Sequence, residues 1–587
     1  MKNKKGLMDE TPKIGVFICH CGINIGGIVD VPKIVNYAKT LPGVVYAESN
    51  LYTCSSDGIS KIKEAIEKHG LNRVVVASCT PRTHEPLFRE TCEEAGLNKY
   101  LFEMANIREH CSWVHMREPE EAAQKAKGIV RMAIAKAWFL RPQEETEVEV
   151  TPSSLVIGAG ISGIQAALNL AYQGFKVYLI EKEPAIGGML QDLYMLYPTG
   201  KYASAILKSA AKALKANSNI SLYTSTVVED VKGYIGNYEV TALKDGKERI
   251  TFNVGTIIVA TGAEEFKPTG MYCYGEHENV ITQLELERLL KRGLPQKVNK
   301  VVMIQCVGAM DEEEGREYCS RICCATALKN ALLIKEANPR ADVYILYRDL
   351  QAYGKEYEKY YLRAQEQNVK FINYLPERRP TVKPRSDDKL TVNVFHTFIG
   401  KEIPIDCDLL VLSTPLIQHE SGKSLSHSLK VPLGPDEFFL EAHTKLRPVD
   451  FATDGIYLCG TAHGPKALNE SIIQAYAAAS SAAIPMAKGH VRSEAITATV
   501  DEDLCRGCGK CIEVCEYNAI NLDRKVLDVE PFVLAPMILA KVNEVVCKGC
   551  GCCASACPTG AITMRHFTDK QILAQIKAAY GGLSHDS

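Results

Sequence analysis

Short apolar runs separated by amphipathic stretches recur along the first part of the chain. Four such runs lead into Cys19, Cys54, Cys79 and Cys111, and stretches with helical periodicity lie between them. Strands that are buried on both faces read as continuous apolar runs, and parallel strands need helical connections. We therefore predict that residues 11–140 form a parallel α/β domain.

The pattern changes twice further along the chain. From residue 150 it predicts two nucleotide-binding-like folds, one inserted into the other, and after residue 498 short cysteine-rich segments follow. The predicted boundaries are 150–297 and 413–490 for the first fold, 298–412 for the second, 498–566 for the cysteine-rich domain and 567–587 for a C-terminal helix. Thr568 is a candidate cap of that helix, which we expect either to pack on the cysteine-rich domain or to dock a partner.

Eight cysteines near the C-terminus repeat the spacing C-x2-C-x2-C-x3-C. In bacterial ferredoxins this spacing holds two [4Fe-4S] clusters, and the fourth cysteine of each run binds the other cluster. The two predicted ligand sets are Cys505, Cys508, Cys511 and Cys557, and Cys547, Cys550, Cys553 and Cys515. Structural zinc is the alternative for such sets.

A glycine-rich turn follows the first apolar run of the central region. It stands between a predicted strand and a predicted helix, and an acidic residue ends the next strand. The glycines let a pyrophosphate approach the helix N-terminus, and the carboxylate accepts the ribose hydroxyls. A later Val259-Ala-Thr261-Gly262 segment resembles a second flavoprotein signature, so we predict FAD. The candidate FAD contacts are Gly158, Gly160, Gly163, Glu181, Lys182, Gly188, Thr261, Gly262, Gly460 and Thr461.

The segment from Asp454 to Ala462 looks like the closing strand of a flavoprotein similar to thioredoxin reductase. Thr461 stands where such proteins usually carry an aspartate. We therefore expect a backbone contact from Gly460 or Thr461 to the flavin instead. Cys459 is expected to fill the core at the strand end.

The second nucleotide-binding-like fold has no glycine turn after its first strand. The strand leads instead to Cys306, and Cys319, Cys323 and Cys324 follow at the start of a predicted helix. Thiols at a strand end and a helix N-terminus are able to bind a third [4Fe-4S] cluster, because the helix dipole favours anionic ligands. A redox-active dithiol, formed by Cys319 with Cys323 or its neighbour, is the alternative.

The cysteines of the N-terminal domain follow strands whose carboxyl ends share one edge of the sheet. Ligands bind at that edge in open α/β sheets. We predict that Cys21, Cys54, Cys79 and Cys111 hold a fourth [4Fe-4S] cluster there. Cys19 is a fifth candidate and our choice as the spare, because it falls inside its strand. Isolated buried cysteines are common, so simple packing is the alternative.

Composition limits the classes of function. The chain has 587 residues, 46% hydrophobic and 24% charged, with a formal net charge of −2. Its length predicts several domains, and its charge gives no reason to expect nucleic acid or an anionic membrane surface as a partner. Apolar stretches stay below about 18 residues, so we predict no membrane span and a cytoplasmic location. Thiols stay reduced there, which favours metal ligation over disulfides for the 22 cysteines.

Taken together, these segments resemble the A-type component of heterodisulfide reductase, a flavin and iron–sulfur protein of methanogens and many anaerobic bacteria. The resemblance covers nearly the whole chain. It rests on Cys19-His-Cys21-Gly-Ile-Asn-Ile-Gly, Ser78-Cys79-Thr-Pro-Arg-Thr-His-Glu-Pro, Glu103-Met-Ala-Asn-Ile-Arg-Glu-His-Cys111-Ser-Trp113, Gln305-Cys306-Val-Gly and Tyr318-Cys319-Ser-Arg-Ile-Cys323-Cys324.

The resemblance implies an α/β multidomain fold. Its parts are an N-terminal parallel α/β domain, a thioredoxin-reductase-like two-dinucleotide-fold FAD domain and a C-terminal bacterial-type 2[4Fe-4S] ferredoxin domain. It also implies a cubane on Cys306, Cys319, Cys323 and Cys324 near the flavin. Lys329, which by itself reads as a solvated surface lysine, is implied to approach the flavin N5.

Partners are implied in the same way. They are B- and C-type subunits of a heterodisulfide-reductase-like complex, a hydrogenase- or dehydrogenase-linked electron donor and ferredoxin, with a homodimer inside the larger assembly. The heterodisulfide chemistry itself is expected in a different subunit, because this chain carries no noncubane-type cysteine repeat.

Two departures from longer relatives bear on function. Those proteins carry an inserted ferredoxin-like domain in the flavin-binding region, whereas this chain runs from Val240 to Ile257 without one. They also carry a cysteine pair where this chain has Tyr202 and Ala205. Because the insert offers those proteins a route to low-potential ferredoxin, its absence argues against this chain completing flavin-based electron bifurcation by itself.

The sequence therefore favours an FAD-centred electron-transfer subunit with about four [4Fe-4S] clusters, which splits electron pairs into single electrons. Flavin-based electron bifurcation is a hypothesis that rests on the resemblance, with the N-terminal cluster or a partner subunit as the alternative exit for electrons. A self-contained NAD(P)H-dependent flavoprotein disulfide or ferredoxin oxidoreductase is the first alternative. The missing second glycine turn argues against it. A structural scaffold for an oxidoreductase complex is the second alternative.

Overall fold

The chain folds into two compact units. The computed structural model describes residues 11–581 except 314, 526–527, 530–531 and 534–536. The first unit comprises the residues up to Glu147 together with those from Arg492 onward, and the second comprises Val148–Val491. The N-terminal domain and the ferredoxin-like domain, which are distant in sequence, thus share one unit.

The N-terminal domain is a four-stranded parallel sheet, as predicted. Its strands, in spatial order, are Val44–Asn50, Ile14–Cys19, Arg73–Ser78 and Phe102–Asn106. The helices are Ile23–Gly26, Val31–Ala38, Ser56–His69, Pro81–Glu94 and Pro119–Trp138, with a π-helical turn at Arg108–Ser112. The strand Ile14–Cys19 is buried along its whole length, as expected for a sheet covered on both faces. All strands point their carboxyl ends to one edge, where the cysteines follow.

Local capping explains where the helices of this domain begin and end. Asp30 accepts a hydrogen bond from Lys33 N, and Ser55 accepts one from Gly58 N, so each caps the helix that follows it. Gly70 ends the helix Ser56–His69 in the left-handed conformation. These short-range signals set the helix ends before any tertiary contact forms.

The ferredoxin-like domain consists of short antiparallel strand pairs and short helices. The strand pairs are Ala498–Val500 with Ile562–Met564, Ile520–Lys525 with Met537–Val542, and Asp528–Val529 with Phe532–Val533. The helices are Lys510–Glu513, Cys552–Ala556 and Asp569–Ala579. Two helices start directly beside the cysteine runs, so the fold brings the two runs together.

The C-terminal helix Asp569–Ala579 packs on the N-terminal domain. Thr568 caps it with Gln571 in a capping box, as predicted. Arg131 of the helix Pro119–Trp138 donates to the carbonyl of Ala578 at 2.6 Å, which satisfies an orphan carbonyl at the helix end. The predicted helix extends to residue 587, and the part from 582 onward lies outside the described residues.

The second unit contains two five-stranded parallel sheets. The strands of the first, in spatial order, are Ile220–Tyr223, Lys176–Ile180, Ser153–Ile157, Thr256–Val259 and Ile456–Leu458. Those of the second are Val280–Thr282, Leu409–Leu412, Lys300–Ile304, Asp342–Tyr347 and Lys370–Asn373. The chain leaves the first sheet, completes the second and returns, as predicted.

Each sheet has an antiparallel three-stranded companion. These are Thr226–Tyr234, Asn237–Lys244 and Glu248–Val254, and Thr381–Pro384, Leu390–His396 and Lys401–Cys407. The helices of the unit are Ile161–Tyr172, Ala203–Ala216, Gln283–Arg292, Cys323–Ala337, Lys355–Glu366, Ser421–Leu429 and Leu468–Lys488, with 3₁₀ turns at Gly188–Gln191 and Gly460–His463. Two short antiparallel strand pairs are Met195–Leu196 with Lys201–Tyr202, and Glu264–Glu265 with Leu416–Ile417. A further two-stranded sheet consists of Glu147–Glu149 and His490–Arg492.

Two details refine the sequence-based boundaries. The strand Val280–Thr282 pairs with Leu409–Leu412 in the second sheet, so the second fold starts before residue 298, the boundary that we predicted. A tight turn at Asp245 and Gly246 joins the strands Asn237–Lys244 and Glu248–Val254 of the first companion sheet. Within the described residues, no helix is both long and apolar enough to cross a membrane.

Candidate functional site

The predicted glycine turn forms the floor of a large cleft in the second unit. It follows the strand Ser153–Ile157 and precedes the helix Ile161–Tyr172. Gly158 has φ +102, and a Cβ there would lie 2.5 Å from the carbonyl oxygen of Ala260. A Cβ on Gly163 would lie 1.8 Å from the carbonyl oxygen of Gly158. Only glycine permits this approach of helix and strand.

The cleft has a volume of about 1040 Å³, which suits a large cofactor. Its lining includes the predicted FAD contacts Gly158, Gly160, Glu181, Lys182, Gly188, Thr261, Gly262 and Thr461. The Thr261 hydroxyl is buried and has no hydrogen-bond partner among the described residues. A buried hydroxyl without a partner is costly, so a ligand that bonds to it would relieve that cost. The cleft therefore fits FAD.

Glu181 stands at the end of the strand Lys176–Ile180, as predicted. Its carboxylate accepts hydrogen bonds from Ala159 N at 2.7 Å and from Glu183 N at 3.0 Å. Each carboxylate oxygen keeps further acceptor capacity. Glu181 thus tightens the glycine turn and remains able to accept a ribose hydroxyl.

Two of the predicted contacts have packing roles. Gly163 holds the helix against the strand, as described above. The Gly460 N–H donates to Gln474 Oε1 at 3.0 Å, and a Cβ on Gly460 would lie 2.2 Å from Ser162 Oγ. The backbone donor of Gly460 is therefore already engaged, and Thr461, which lines the cleft, is left as the contact at this position.

Lys329 is buried in the cleft lining, whereas the sequence alone reads it as a surface lysine. It forms an ion pair with Glu287 and donates to the carbonyl oxygen of Met195 at 3.0 Å. Burial lowers the pKa of Lys329 to about 7, and the contact with the Glu287 carboxylate opposes that shift. Lys329 thus places an amino group with a lowered pKa in the lining of the predicted cofactor cleft.

Four cysteines of the second fold line one small cavity. Cys306 follows the strand Lys300–Ile304, and Cys323 and Cys324 open the helix Cys323–Ala337. Cys319 completes the lining. Burial, with a smaller contribution from the neighbouring Cys324, raises the pKa of Cys306 to about 12. Ordinary thiols at such a site stay protonated, so a metal cluster is needed to hold them as thiolates.

The cavity and the FAD cleft share a wall. Cys323 and Cys324 line the cavity, while Ile322, Thr326 and Lys329 of the same segment line the cleft. In an α-helix, five residues span about 7.5 Å. A cluster on these cysteines would therefore stand within a short distance of the cofactor.

Arg321 links this cysteine loop to the cleft and was missed at the sequence level. It has φ +63, and its N–H donates to Cys319 Sγ at 3.3 Å. Its guanidinium donates to Glu470 at 2.7 Å, in the first turn of the helix Leu468–Lys488. That helix also lines the cleft through Leu468. Glu287, Arg321 and Glu470 carry no recognisable motif, because their roles depend on distant partners.

The ferredoxin-like domain brings together both predicted ligand sets. Cys505, Cys508, Cys511 and Cys557 line one cavity. In the other set, burial raises the pKa of Cys553 to about 11, and Cys547, Cys550 and Cys515 raise it further. Backbone N–H groups of Ala540, Ala519 and Ala498 donate to the sulfurs of Cys505, Cys515 and Cys547. Such donors stabilise cluster thiolates.

Several of the N-terminal cysteines lie near one another at the carboxyl edge of their sheet. Burial raises the pKa of Cys54, and the neighbouring Cys19 and Cys21 raise it further. Cys19 Sγ accepts hydrogen bonds from Cys21 N at 3.2 Å and from Thr53 N at 3.4 Å. Burial raises the pKa of the Cys79 thiol, and the neighbouring Cys21 contributes to this rise.

Cys111 lies apart from this group. Its thiol donates to the carbonyl oxygen of Ala122 at 3.1 Å, in the helix Pro119–Trp138, and it is fully buried in the core. The π-helical turn Arg108–Ser112 directs the side chain inward. Cys19, Cys21, Cys54 and Cys79 thus have neighbours among one another at this edge, whereas Cys111 contacts the helix Pro119–Trp138. Arg108, which the sequence did not single out, donates to Cys21 Sγ at 3.3 Å.

Within the described residues, no group of three or more Cys, His, Asp and Glu side chains is arranged to hold a single metal ion. Zinc in such a site requires sulfurs about 2.3 Å from one common point. Cys92 and Cys459 are fully buried in hydrophobic cores, and for Cys459 this packing role was predicted.

Comparisons with known proteins agree with this arrangement. Residues 152–482 match the family model described as pyridine nucleotide-disulphide oxidoreductase, and residues 504–561 match a 4Fe-4S dicluster domain. The A-type component of the H(2):CoB-CoM heterodisulfide,ferredoxin reductase of Methanothermobacter marburgensis is 42% identical, covering 98% of this chain and 99% of that protein. An A-type iron-sulfur component of the CoB–CoM heterodisulfide reductase of Methanopyrus kandleri is 42% identical over 87% of this chain and 91% of its own length.

The alignment with the Methanothermobacter marburgensis protein extends over 667 positions, whereas this chain has 587 residues. At least 80 positions of that relative therefore have no counterpart in this chain. Among solved structures, a Thermoplasma acidophilum thioredoxin reductase is 15% identical, covers 58% of this chain and 99% of its own, and has a TM-score of 0.40.

Proposed function

Because the chain belongs to the family of A-type heterodisulfide reductase components, we propose that it transfers electrons between FAD and [4Fe-4S] clusters as one subunit of a heterodisulfide-reductase-like complex. The chain is an oxidoreductase with flavin and iron–sulfur cofactors. The observation that carries the proposal is the shared wall between the FAD cleft and the cavity of Cys306, Cys319, Cys323 and Cys324.

The residues of the cleft are proposed to hold FAD in the following way. Gly158 and Gly160 leave room for the pyrophosphate at the start of the helix Ile161–Tyr172, and Glu181 accepts from the ribose. Thr261 and Thr461 bond to the remaining polar atoms. When bound, FAD exchanges electron pairs and single electrons, which makes it the converter between two-electron donors and clusters.

Four cysteine sets are proposed to hold [4Fe-4S] clusters. Two are in the ferredoxin-like domain, one is at the start of the helix Cys323–Ala337, and the fourth consists of Cys19, Cys21, Cys54 and Cys79. Lys329 is proposed to keep a proton at Nζ beside the cleft, stabilised by Glu287. Arg321 keeps the cysteine loop in place relative to the cleft through Cys319 and Glu470.

An anaerobic titration tests the proposal against the NAD(P)H-dependent alternative. The reconstituted full chain is titrated with substoichiometric NADH, then NADPH, then dithionite, while flavin absorbance and cluster spectra are recorded. We expect no bleaching by either nucleotide and full bleaching by dithionite, because Cys306 stands where a nucleotide fold would need a glycine turn. Rapid bleaching by NADH or NADPH would contradict the proposal.

The finer proposal concerns bifurcation and partners. Electrons are proposed to arrive from a hydrogenase- or dehydrogenase-linked donor and to leave to B- and C-type subunits and to ferredoxin, with a homodimer in the assembly. Bifurcation then requires that the two electrons of a pair take routes of very different potential. Potentiometry of the bound flavin tests this point. A flavin that is reduced in two well-separated one-electron steps argues against bifurcation.

A further inference from the structure

One arginine contacts the cysteines at the carboxyl edge of the N-terminal sheet. Arg108 begins the π-helical turn Arg108–Ser112, and its guanidinium donates to Cys21 Sγ at 3.3 Å. Burial raises the pKa of the Cys54 and Cys79 thiols, and the positive charge of Arg108 opposes this rise. A single cation therefore acts on three of the cysteines that are proposed to hold the N-terminal cluster.

Hydrogen bonds from neighbouring segments hold Arg108 in this position. Asn106, the last residue of the fourth strand, accepts a hydrogen bond at Oδ1 from Arg108 N at 3.2 Å. Ser112 Oγ donates to the carbonyl oxygen of Asn24 at 2.7 Å, and Asn24 Nδ2 donates to the carbonyl oxygen of Cys21 at 3.1 Å. The turn that carries Arg108 is thus fastened to the segment that carries Cys21.

The guanidinium of Arg108 stands between a carboxylate and a sulfur. Glu109 Oε1 accepts hydrogen bonds from Nε at 3.1 Å and from Nη2 at 2.6 Å, whereas Nη1 donates to Cys21 Sγ. Glu109 raises the pKa of Cys79 by less than Arg108 lowers it, so the cation has the larger effect on the sulfur side.

The charge of Arg108 is largely shielded from water. The side chain is 19% exposed, and the Trp113 ring covers it with its centroid 4.7 Å from the guanidinium carbon. Salt and water weaken the interactions of a covered charge much less than those of an exposed one. Arg108 therefore acts on the neighbouring sulfurs through a medium that transmits its charge well.

The cysteines of the ferredoxin-like domain have different surroundings. The charges that act most strongly on Cys511 and Cys553 are those of neighbouring cysteines. Backbone N–H groups, which carry only partial charges, donate to sulfurs of that domain. A full positive charge stabilises an added electron more than such partial charges do. The N-terminal site thus favours the reduced state of a cluster more than the ferredoxin-like sites do.

The N-terminal site also fits a bound cluster. Thr53 is fully buried beside Cys54, and its backbone N–H donates to Cys19 Sγ at 3.4 Å. Its hydroxyl has no hydrogen-bond partner among the described residues. A group that is held by the cysteines and accepts from this hydroxyl would relieve the cost of burying it.

We propose that Arg108 raises the reduction potential of the N-terminal cluster above the potentials of the two ferredoxin-like clusters, so that the N-terminal cluster accepts electrons on the exergonic path. This inference rests on the proposed function. In each step one electron enters the N-terminal cluster, and a one-electron donor, such as another reduced [4Fe-4S] cluster, is oxidised by one electron. The guanidinium stabilises the negative charge that the electron adds.

The test is a potentiometric titration of the reconstituted full chain, followed by electron paramagnetic resonance. The signal of the N-terminal cluster is the one that C54S removes while the other signals remain. R108Q removes the positive charge, whereas R108K keeps a charge but loses the fork that contacts both Glu109 and Cys21. E109Q removes the opposing carboxylate. R117Q is the matched control, because Arg117 is an exposed arginine of the same domain.

We expect R108Q to shift the one-electron equilibrium of the N-terminal cluster at least tenfold toward the oxidised form, which lowers its potential by about 59 mV or more. R108K should lie between R108Q and the unaltered chain. E109Q should raise the potential, and R117Q should leave it unchanged. The proposal is overturned if R108Q titrates like R117Q, or if the unaltered N-terminal cluster is reduced at a lower potential than the ferredoxin-like clusters.

Two measurements on the same samples keep the outcomes apart. If R108Q loses its cluster because Glu109 is left without its cation, E109Q decides the question, and an unchanged or lowered potential in E109Q overturns the proposal. Iron analysis tests the proposed function separately. If C54S removes no cluster from the chain, the proposed function fails for this domain and the inference fails with it. A full iron content with unmoved potentials defeats only the role of Arg108.

Discussion

Replacing Lys329 with methionine is expected to destabilise the second unit. The side chains of Lys329 and Glu287 are 4% and 1% exposed, so the variant leaves a carboxylate buried without its cation. Removing one partner of a buried ion pair costs about 3–5 kcal/mol. Tyr194 N still donates to Glu287 Oε2 at 2.9 Å. We therefore expect a cost near the lower limit, about 3 kcal/mol.

Urea unfolding of the full chain, followed by circular dichroism, measures this loss. The measurement is made without FAD and again at a fixed excess of FAD, because bound cofactor stabilises the folded state by mass action. K359M is the matched control. Lys359 pairs with Glu356 on the helix Lys355–Glu366, and both side chains are more than half exposed. Loss of that exposed pair should cost less than about 1 kcal/mol.

A double variant separates charge from packing. In K329M/E287Q the buried carboxylate is replaced by a neutral amide, so most of the lost stability should return. The reasoning is refuted if K329M unfolds at the same urea concentration as K359M. It is also refuted if the E287Q substitution returns none of the stability lost in K329M.

Burial and the nearby Lys466 lower the pKa of His463 below 6.5, so the unfolded chain binds a proton more readily than the folded chain. The urea midpoint of the second unit should therefore fall as the pH drops below about 6.5, and H463Q should flatten this fall. Iron analysis and electron paramagnetic resonance should show that C19S loses about four irons per chain, whereas C111S loses none. Equal losses in the two variants would contradict the proposed ligand set of the N-terminal cluster. G163A should abolish FAD retention on gel filtration, because its Cβ would lie 1.8 Å from a carbonyl oxygen. G128A, whose Cβ meets no atom within 4 Å, should retain FAD and stabilise its helix by about 0.5–1 kcal/mol.

Structural features that depend on residues close together in sequence could be predicted from the sequence. The cap Thr568 and the glycine turn at Gly158 act over a few positions, and the structure has both where they were predicted. The ferredoxin runs are readable for the same reason, because each run delivers three sulfurs from one short loop. The parallel sheet of residues 11–140 follows from its continuous apolar strands.

Structural features that depend on residues far apart in sequence could not be predicted from the sequence. Lys329 reads as a surface residue until the helix Gln283–Arg292 brings Glu287 against it, 42 positions away in sequence. Cys19 is our choice as the spare because it falls inside its strand, yet its sulfur accepts a backbone N–H from Thr53, in a loop more than thirty positions later. The strand Val280–Thr282 joins the second sheet by pairing with Leu409–Leu412, which no local pattern indicates.

The types of fold, the cofactor classes and the ligands that lie in one cysteine run follow from the amino-acid sequence, because periodicity, turn residues and metal-ligand spacing are local properties. The folded chain is needed to see which N-terminal cysteines lie near one another and that a single helix lines both the FAD cleft and the Cys306 cavity. It is also needed to see that the N-terminal and ferredoxin-like domains share one unit. These outcomes depend on side chains that meet after the chain has folded, and the free energy of their burial and pairing is set by partners far away in sequence.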